Sequence, residues 1–253
     1  MEKPKNIQYH YFTFPIVLLK ILHEDHRSFA DKAICWTVYN YAETKLHGLP
    51  ERERVEMALS KYGLSTENLA GHIRHAKTIH RSIEGSKVLT SITKDILFDF
   101  LENDKSDAEV NELLMFAALR SIIGKKQYCK ITKDYLFSRM AGEERTVKDL
   151  DRLPDRIKAL SGKKNEYQFN KLRASLRHRW GLKIYSRRGV RGWYATFKPE
   201  WSLKRLAKHI ELKLESNREK KYRAELKAAQ SEALTTLFGP GLPSNQWPFN
   251  IER

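Results

Sequence analysis

Residues 166–197, with the sequence EYQFNKLRASLRHRWGLKIYSRRGVRGWYATF, decide how the second half of the chain is expected to fold. At the start of this stretch, apolar side chains recur at helical spacing, which predicts a helix from Glu166 to Trp180 that Gly181 ends. The side chains that share its inward face are Phe169, Leu172, Leu176 and Trp180. The polar positions between them are mostly basic, so the helix is expected to combine a buried stripe with a positively charged outer face.

A β-hairpin is expected directly after this helix. Residues 182–186 (LKIYS) and 193–197 (WYATF) alternate in character, as do strands with one buried face. The residues that connect them include Gly189 and Gly192. Glycine at these positions is typical of a hairpin turn, because it adopts the left-handed backbone conformations that such turns need.

The elements predicted upstream of residue 166 are a helix, a very short strand, a second helix and a polar insertion. They cover residues 108–123, 128–131, 133–140 and 143–164. Asp107 and Thr132 stand where side chains cap helix N-termini, before the first and second helix. The insertion has room for a short helix near residues 153–160.

The order of these elements over residues 107–198 resembles that of the winged-helix family of DNA-binding domains. In that family the third helix enters the major groove, and the hairpin, called the wing, contacts phosphate or the minor groove. The resemblance implies that residues 166–180 are the recognition helix and that residues 187–191 form the wing tip. The insertion at 143–164 departs from the family pattern, because a helix-turn-helix joins its two helices through a few residues.

The first half is expected to be helical. Pro15 favours a helix that starts nearby, and Ser28 or Asp31 can cap the next helix. Residues 102–107 are polar and charged, which indicates a domain boundary. The predicted domains are a helical one at 1–104, a winged-helix domain at 105–200, and a charged helix with a Pro/Gly-rich tail at 201–253. The fold class is therefore predominantly α with a small β-hairpin wing, and a second winged helix in the first half is left open.

Basic side chains are concentrated in residues 163–205. The formal net charge of the chain is +16, and this segment holds thirteen Lys and Arg against two acidic residues, a net of +11. Such a concentration implies an anionic partner, with nucleic acid the first candidate. Arg173 and Arg177 are expected to contact guanine, and Gln168 and Asn170 adenine. The candidate DNA-binding residues are Lys163, Lys164, Gln168, Asn170, Lys171, Arg173, Arg177, His178, Arg179, Lys183, Arg187, Arg188 and Arg191.

Catalytic and metal-binding motifs are not found in the sequence, which predicts a protein that is not an enzyme and needs no cofactor. Phosphate-loop, nucleophile-elbow and zinc-protease motifs are all missing. Cys35 and Cys129 lie in apolar contexts and are expected to be reduced core residues. His72 and His75 share one predicted helix, but no carboxylate sits among their sequence neighbours, so no metal site is predicted.

The remaining features concern location and assembly. No stretch approaches the ~20 apolar residues that cross a bilayer, and the apolar run at 12–19 lacks the cleavage site of a signal peptide. A cytoplasmic location is therefore expected, at the nucleoid if DNA is the partner. Ser202 can cap a long charged helix over 202–237, whose apolar positions would dock on the body or form a homodimer seam.

Three hypotheses for the function remain open. The first is sequence-specific binding of duplex DNA in replication initiation or transcription regulation. This hypothesis draws on the two-part layout of the chain, an apolar N-terminal segment followed by a second half with a predicted wing. That layout resembles proteins that initiate or regulate replication on plasmids, phages and other mobile elements. The second is RNA binding through the same basic segment, and the third is a protein-interaction or scaffold module with an acidic partner.

Overall fold

The computed structural model describes residues 11–83, 85–162 and 165–238. These residues are mostly helical and carry two small antiparallel sheets, which confirms the predicted predominance of helices. The helices are α1 (Leu19–Leu22), α2 (His26–Lys45), α3 (Glu51–Tyr62), α4 (Leu69–Ser82), α5 (Lys94–Glu102), α6 (Asp107–Ile123), α7 (Lys133–Met140), α8 (Asp155–Ser161), α9 (Glu166–Arg179) and α10 (Leu203–Phe238). The strands are β1 (Tyr11–Pro15), β2 (Leu89–Thr93), β3 (Cys129–Ile131), β4 (Lys183–Tyr185) and β5 (Trp193–Thr196).

The apolar run near the start of the chain begins as a strand that the sequence did not predict, and the helical turns expected to start near Pro15 follow it from Ile16. β1 pairs antiparallel with β2, with Phe12 opposite Ile92 and Phe14 opposite Thr90. Phe12 and Phe14 are fully buried, as alternate residues of a strand can be on one face of a sheet. Pro15 is the last residue of β1, and a 3₁₀ turn over Ile16–Leu18 leads from it into α1.

The sheet of the first half joins segments that are distant in sequence. Four helices, α1 to α4, lie between its two strands, and α5 follows directly after β2. Among the described residues, β1 and β2 are therefore not joined as a hairpin, and a second winged helix stays a prediction.

Two helix starts are capped by residues other than those predicted. Asp25, and not Ser28 or Asp31, caps α2 by accepting hydrogen bonds from the backbone N–H groups of Arg27 and Ser28 at 2.9 and 3.1 Å. At α6 the cap is Ser106 and not Asp107. Ser106 and Glu109 form a reciprocal capping box, in which each side chain accepts from the other's backbone N–H.

The second half follows the predicted order of elements closely. β5 lies in the centre of a three-stranded antiparallel sheet of order β3-β5-β4, with Ala195 opposite both Cys129 and Ile184. The hydroxyl of Thr132 caps α7, as predicted, by accepting from the N–H of Tyr135 at 3.4 Å. α8 occupies the insertion and packs against α7 and α9, while α9 also packs against α6.

The hydrophobic core is continuous through both halves. One cluster of buried side chains extends from Phe12 to Ala195 and includes most of α6. The hydroxyl of Thr90 in β2 donates a buried hydrogen bond of 2.7 Å to the carbonyl of Ala117 in α6. Residue contacts group the chain into one compact unit that ends at Glu200 and another that begins at Trp201. The division into three domains, with a boundary at 104, stays a prediction.

The unit that begins at Trp201 contains α10. Ser202 caps this helix, as predicted, by accepting a hydrogen bond from the N–H of Arg205 at 3.1 Å. Within the described ranges, no helix is both long enough and apolar enough to span a membrane. The expected polar arm at 1–9 and the Pro/Gly-rich end of the chain lie outside the described residues, and a homodimer through 202–237 stays a prediction.

Candidate nucleic-acid interface

Helix α9 presents a buried face and an exposed face, as its sequence predicts. Phe169, Leu172 and Leu176 are at most 9% exposed and pack into the core. A helical repeat of 3.6 residues directs the positions between them away from the core. Five exposed side chains share this outer face, namely Tyr167, Asn170, Lys171, Ala174 and His178.

One flank of α9 lies against the β4–β5 hairpin. The guanidinium of Arg173 stacks on the ring of Trp193 at 5.3 Å from its centroid, and Arg177 Nη2 donates to the carbonyl of Ile184 at 3.5 Å. Burial, and next the charge of Arg177, lower the pKa of the Arg173 guanidinium below its ordinary value. Arg173 is half-buried, whereas Arg177 is exposed where the helix and the hairpin meet.

The opposite flank of α9 contacts a buried acid of α6. Glu112 is 8% exposed and accepts hydrogen bonds from Ser175 Oγ at 2.8 Å, Arg179 Nη1 at 3.2 Å and Trp180 Nε1 at 2.6 Å. Because the Arg179 guanidinium has a carboxylate partner within the protein, its charge contributes less to the field outside. Sequence reasoning missed this pair because Glu112 lies 67 residues before Arg179.

The hairpin carries three of the predicted arginines at or beside its tip. Arg188 is exposed, and Arg187 is partly buried. Arg191 Nη2 forms an ion pair of 2.6 Å with Asp134 Oδ2 of α7. Lys183 lies in β4. Its Nζ donates to the carbonyls of Lys198 and Pro199 at 2.8 and 3.5 Å and so holds the segment that follows β5 against β4.

Gly192 brings the hairpin against the first strand of the sheet. Its φ is +85°, and a Cβ at this position would collide with the carbonyl oxygen of Ile131 in β3. Glycine is therefore required here both for backbone conformation and for space. Gly189, with a φ of +79°, has open space where its Cβ would lie.

The structure separates the predicted site residues into groups. Asn170, Arg173 and Arg177 lie along the hairpin flank, and Arg173 Nη1 donates to Asn170 Oδ1 at 3.4 Å. Gln168 and Lys171 line a cavity of about 420 Å³ between α9 and α6, away from the hairpin. Lys163 and Lys164 lie outside the described residues.

Comparison with known protein families, curated proteins and solved structures gives no match for this chain.

One side chain on the outer face of α9 was missed by sequence reasoning. Tyr167 is 77% exposed, although an aromatic ring is costly to leave in water. It stands two positions before Phe169 and so on the other side of the helix. The exposure of Tyr167 could have been predicted from the sequence, because the predicted buried stripe places position 167 on the outer face.

Proposed function

We propose that residues 107–198 form a winged helix that binds duplex DNA through the outer face of α9 and the β4–β5 hairpin. The order of elements supports this proposal. The strand order β3-β5-β4 supports it as well, because the hairpin pairs through β5 with β3, the short strand between α6 and α7. α8 packs beside α7 and α9 without displacing α9 from α6. The insertion is therefore compatible with a recognition helix in its usual position.

The observation that carries the proposal is the exposed row of Asn170, Lys171, Arg177 and His178 on α9. This helix contacts the strands of the hairpin that carries the exposed Arg188. Amide and guanidinium groups can donate to base edges in the major groove. Lysine and arginine also neutralise phosphates. Of the two arginines predicted to contact bases, Arg177 is the better candidate, because Arg173 stacks on Trp193.

The proposed role is sequence-specific binding in replication initiation or transcription regulation, in the cytoplasm at the nucleoid. The exposed Tyr167 can add a stacking or van der Waals contact to a sugar or base at the end of the site. The ion pairs Arg179–Glu112 and Arg191–Asp134 give these two arginines structural partners. We therefore expect them to contribute less to DNA binding than Arg177 and Arg188.

The direct test is a fluorescence-anisotropy titration of labelled duplex DNA at several salt concentrations. With about five phosphate contacts, log K should fall against log salt with a slope of roughly −4 to −5. A lack of binding at low salt would contradict the proposal. Competition by double-stranded RNA that is stronger than by DNA would instead favour RNA as the partner, although the deep, narrow major groove of A-form RNA does not admit a helix.

Single variants test the assignment of the surface. Arg177→Ala should weaken binding to a selected sequence by about 1–3 kcal/mol and reduce sequence preference. Arg188→Ala should weaken binding to all sequences to a similar extent, as loss of a phosphate contact does. Arg52→Ala is the matched control, since it removes the same charge from an exposed position of α3. If Arg52→Ala weakens binding as much as Arg177→Ala, the effect is one of net charge and the assignment of α9 is wrong.

A further inference from the structure

Three side chains with metal-ligand chemistry meet where α2 packs against α4. Asp31 and Cys35 lie four residues apart on α2 and so face the same side of that helix. His75 reaches them from α4. Asp31 Oδ2 lies 2.9 Å from His75 Nε2, and Asp31 Oδ1 lies 3.7 Å from Cys35 Sγ. One ligand atom from each residue lies within 4.8 Å of the other two.

These separations are close to those of a tetrahedral zinc site. With Zn–S near 2.3 Å and Zn–N and Zn–O near 2.0–2.1 Å, neighbouring ligand atoms are about 3.3–3.6 Å apart. An ion at the centre of the cluster would therefore require shifts of about 1 Å or less, which side-chain rotation provides. A thiolate with an imidazole and a carboxylate is a donor set that suits Zn²⁺ better than the harder Mg²⁺ or Ca²⁺.

The cluster lies at the edge of the core. Cys35 is 8% exposed, whereas the side chains of Asp31 and His75 are about half-exposed. The cluster also borders a cavity of about 170 Å³, whose lining includes Asp31, Cys35 and His72. The cavity has room for a water molecule as a fourth ligand.

We propose that Asp31, Cys35 and His75 bind Zn²⁺, with water in the fourth position. The ion would cross-link α2 to α4 and so stabilise the helical first half. Binding replaces the S–H bond of Cys35 by an S–Zn bond and releases that proton to solvent. The site is separate from the proposed DNA interface, so either proposal can fail without the other. Sequence reasoning did not find it because Asp31 and Cys35 lie more than thirty-five residues before His75.

The first experiment uses Co²⁺ as a spectroscopic probe of the full chain. Cobalt bound to a thiolate gives a strong near-ultraviolet charge-transfer band and, in tetrahedral geometry, intense visible bands. We expect both in the natural protein and neither in Cys35→Ser. Cys129→Ser is the matched control, because it removes the other cysteine, and it should retain both bands. The proposal is overturned if the natural protein shows no charge-transfer band, or if Cys129→Ser loses the band and Cys35→Ser keeps it.

The second experiment measures Zn²⁺ binding by calorimetry in two buffers that differ in ionisation enthalpy. The proposal predicts a dissociation constant of about 1 µM or tighter with release of about one proton. His75→Ala and Asp31→Asn should each weaken binding at least tenfold, and His47→Ala, which removes an exposed histidine outside the cluster, should not. A dissociation constant above about 100 µM would show only an ordinary Asp31–His75 ion pair and would overturn the proposal.

Thermal melting and circular dichroism distinguish variants that lose the metal site from variants that fail to fold. Zn²⁺ should raise the Tm of the natural protein and of Cys129→Ser, since a ligand that binds the folded state stabilises it. It should leave the Tm of Cys35→Ser unchanged. Circular dichroism of each variant without metal establishes that it is folded before its affinity is compared. An equal Tm increase in Cys35→Ser and the natural protein would count against the site.

Discussion

Arg173 and Arg177 show how neighbours in the fold give one residue type two roles. Both lie on α9, one helical turn apart, and the sequence offers no reason to treat them differently. Arg173 is half-buried between aromatic rings, with the Trp193 ring at 5.3 Å and the Phe169 ring at 5.9 Å. Arg177 is exposed. The first is thus placed to stabilise the fold, and the second to meet a ligand.

Replacing these two arginines should separate stability from binding. Arg173→Ala should lower the free energy of unfolding by about 1–2 kcal/mol, because it removes a partly desolvated cation–π contact and the packing of the stem. Arg177→Ala should lower it by less than about 0.5 kcal/mol, as expected of an exposed side chain. Urea denaturation measures both values. Arg173→Lys is the control for charge, and equal losses for the two alanine variants would contradict the distinction.

Glu112 is the shared hydrogen-bond acceptor on the flank of α9 that faces α6. Glu112→Ala removes the acceptor of Ser175, Arg179 and Trp180 at once. Loss of the Glu112 carboxylate should lower the free energy of unfolding by about 2–4 kcal/mol, because the substitution leaves partly buried donors without a partner. Glu102→Ala, at an exposed position of α5, should change stability by less than about 0.5 kcal/mol. Chemical denaturation distinguishes these outcomes, and a loss below 1 kcal/mol for Glu112→Ala would be inconsistent with the network.

Glu144 joins the two halves through one carboxylate oxygen. Its Oε1 accepts from Ser86 Oγ at 2.5 Å and from the N–H groups of Lys87 and Val88 at 2.8 and 3.0 Å. These hydrogen bonds, that of Ser86 first, hold the pKa of Glu144 below its ordinary value of 4.5. The carboxylate therefore stabilises the fold fully above pH 4.5, and this contribution is lost as the pH falls through the lowered pKa of the folded state.

The pH dependence of one variant tests this role. Glu144→Gln should be less stable than the natural protein by about 1 kcal/mol near pH 7, a value reduced by the partial exposure of the site. The difference should shrink as the pH falls below 4.5, since protonation removes the same charge from the natural protein. Denaturation at a series of pH values measures it, with Glu102→Gln as the control. A difference that stays constant down to the lowest pH would show that the charge is not involved.

At the scale of the element, the conformation of the β4–β5 hairpin depends on a hydrogen bond in its turn and on its contact with β3. The Arg187 carbonyl accepts from the N–H of Val190 at 3.2 Å and closes the turn. Gly192 then returns the chain past Ile131 without space for a side chain. Sequence reasoning identified both glycines as turn residues but could not rank them, because the Ile131 carbonyl belongs to another strand.

Alanine substitution should rank the two glycines. Gly189→Ala should cost about 1 kcal/mol, which is the strain of a positive φ without any collision. Gly192→Ala should cost at least about 2 kcal/mol, because the added methyl group must also displace the β3 backbone. Thermal denaturation followed by circular dichroism provides the comparison. A larger loss for Gly189→Ala would contradict the close approach of Gly192 to the Ile131 carbonyl.

At the scale of the whole molecule, α6 connects the two halves. It packs against α1 and β2 of the first half and against α7, α9 and β3 of the second. Leu113, Leu114 and Met115 on this helix are at most 1% exposed. A domain boundary at residue 104 would place α6 entirely in the second domain, yet its side chains belong to the same core cluster as Phe12 and Phe14.

This shared core predicts that residues 11–200 unfold in one cooperative step. Tryptophan fluorescence and near-ultraviolet circular dichroism of the same protein should give coincident denaturation midpoints. Leu114→Ala should lower both midpoints together, with a loss of about 2–5 kcal/mol from the cavity it leaves. Leu226→Ala, at a position that is 47% exposed in α10, is the control. Two separate transitions would instead support independent domains divided at residue 104.

Local signals were sufficient to predict most elements of the second half. Apolar side chains at helical spacing predicted α9 to within one residue at its C-terminal end, and the glycines between two alternating segments predicted the β4–β5 hairpin. The concentration of basic residues at 163–205 could be counted in the sequence alone. Such signals work because helix periodicity, capping and turns depend on residues that are close together in the chain.

Several features that sequence reasoning missed depend on contacts between distant residues. β1 needs β2, which lies more than seventy residues later, and without that partner its apolar run also fits a helix. Glu112 and Asp134 partner arginines of the basic segment from other helices, and Asp31 meets His75 only because α2 packs against α4. The sequence by itself determined the helical class, the hairpin and the excess of positive charge. Only the tertiary structure decided which charges are paired and which face outward, because a pairing energy depends on distance and burial and not on separation along the chain.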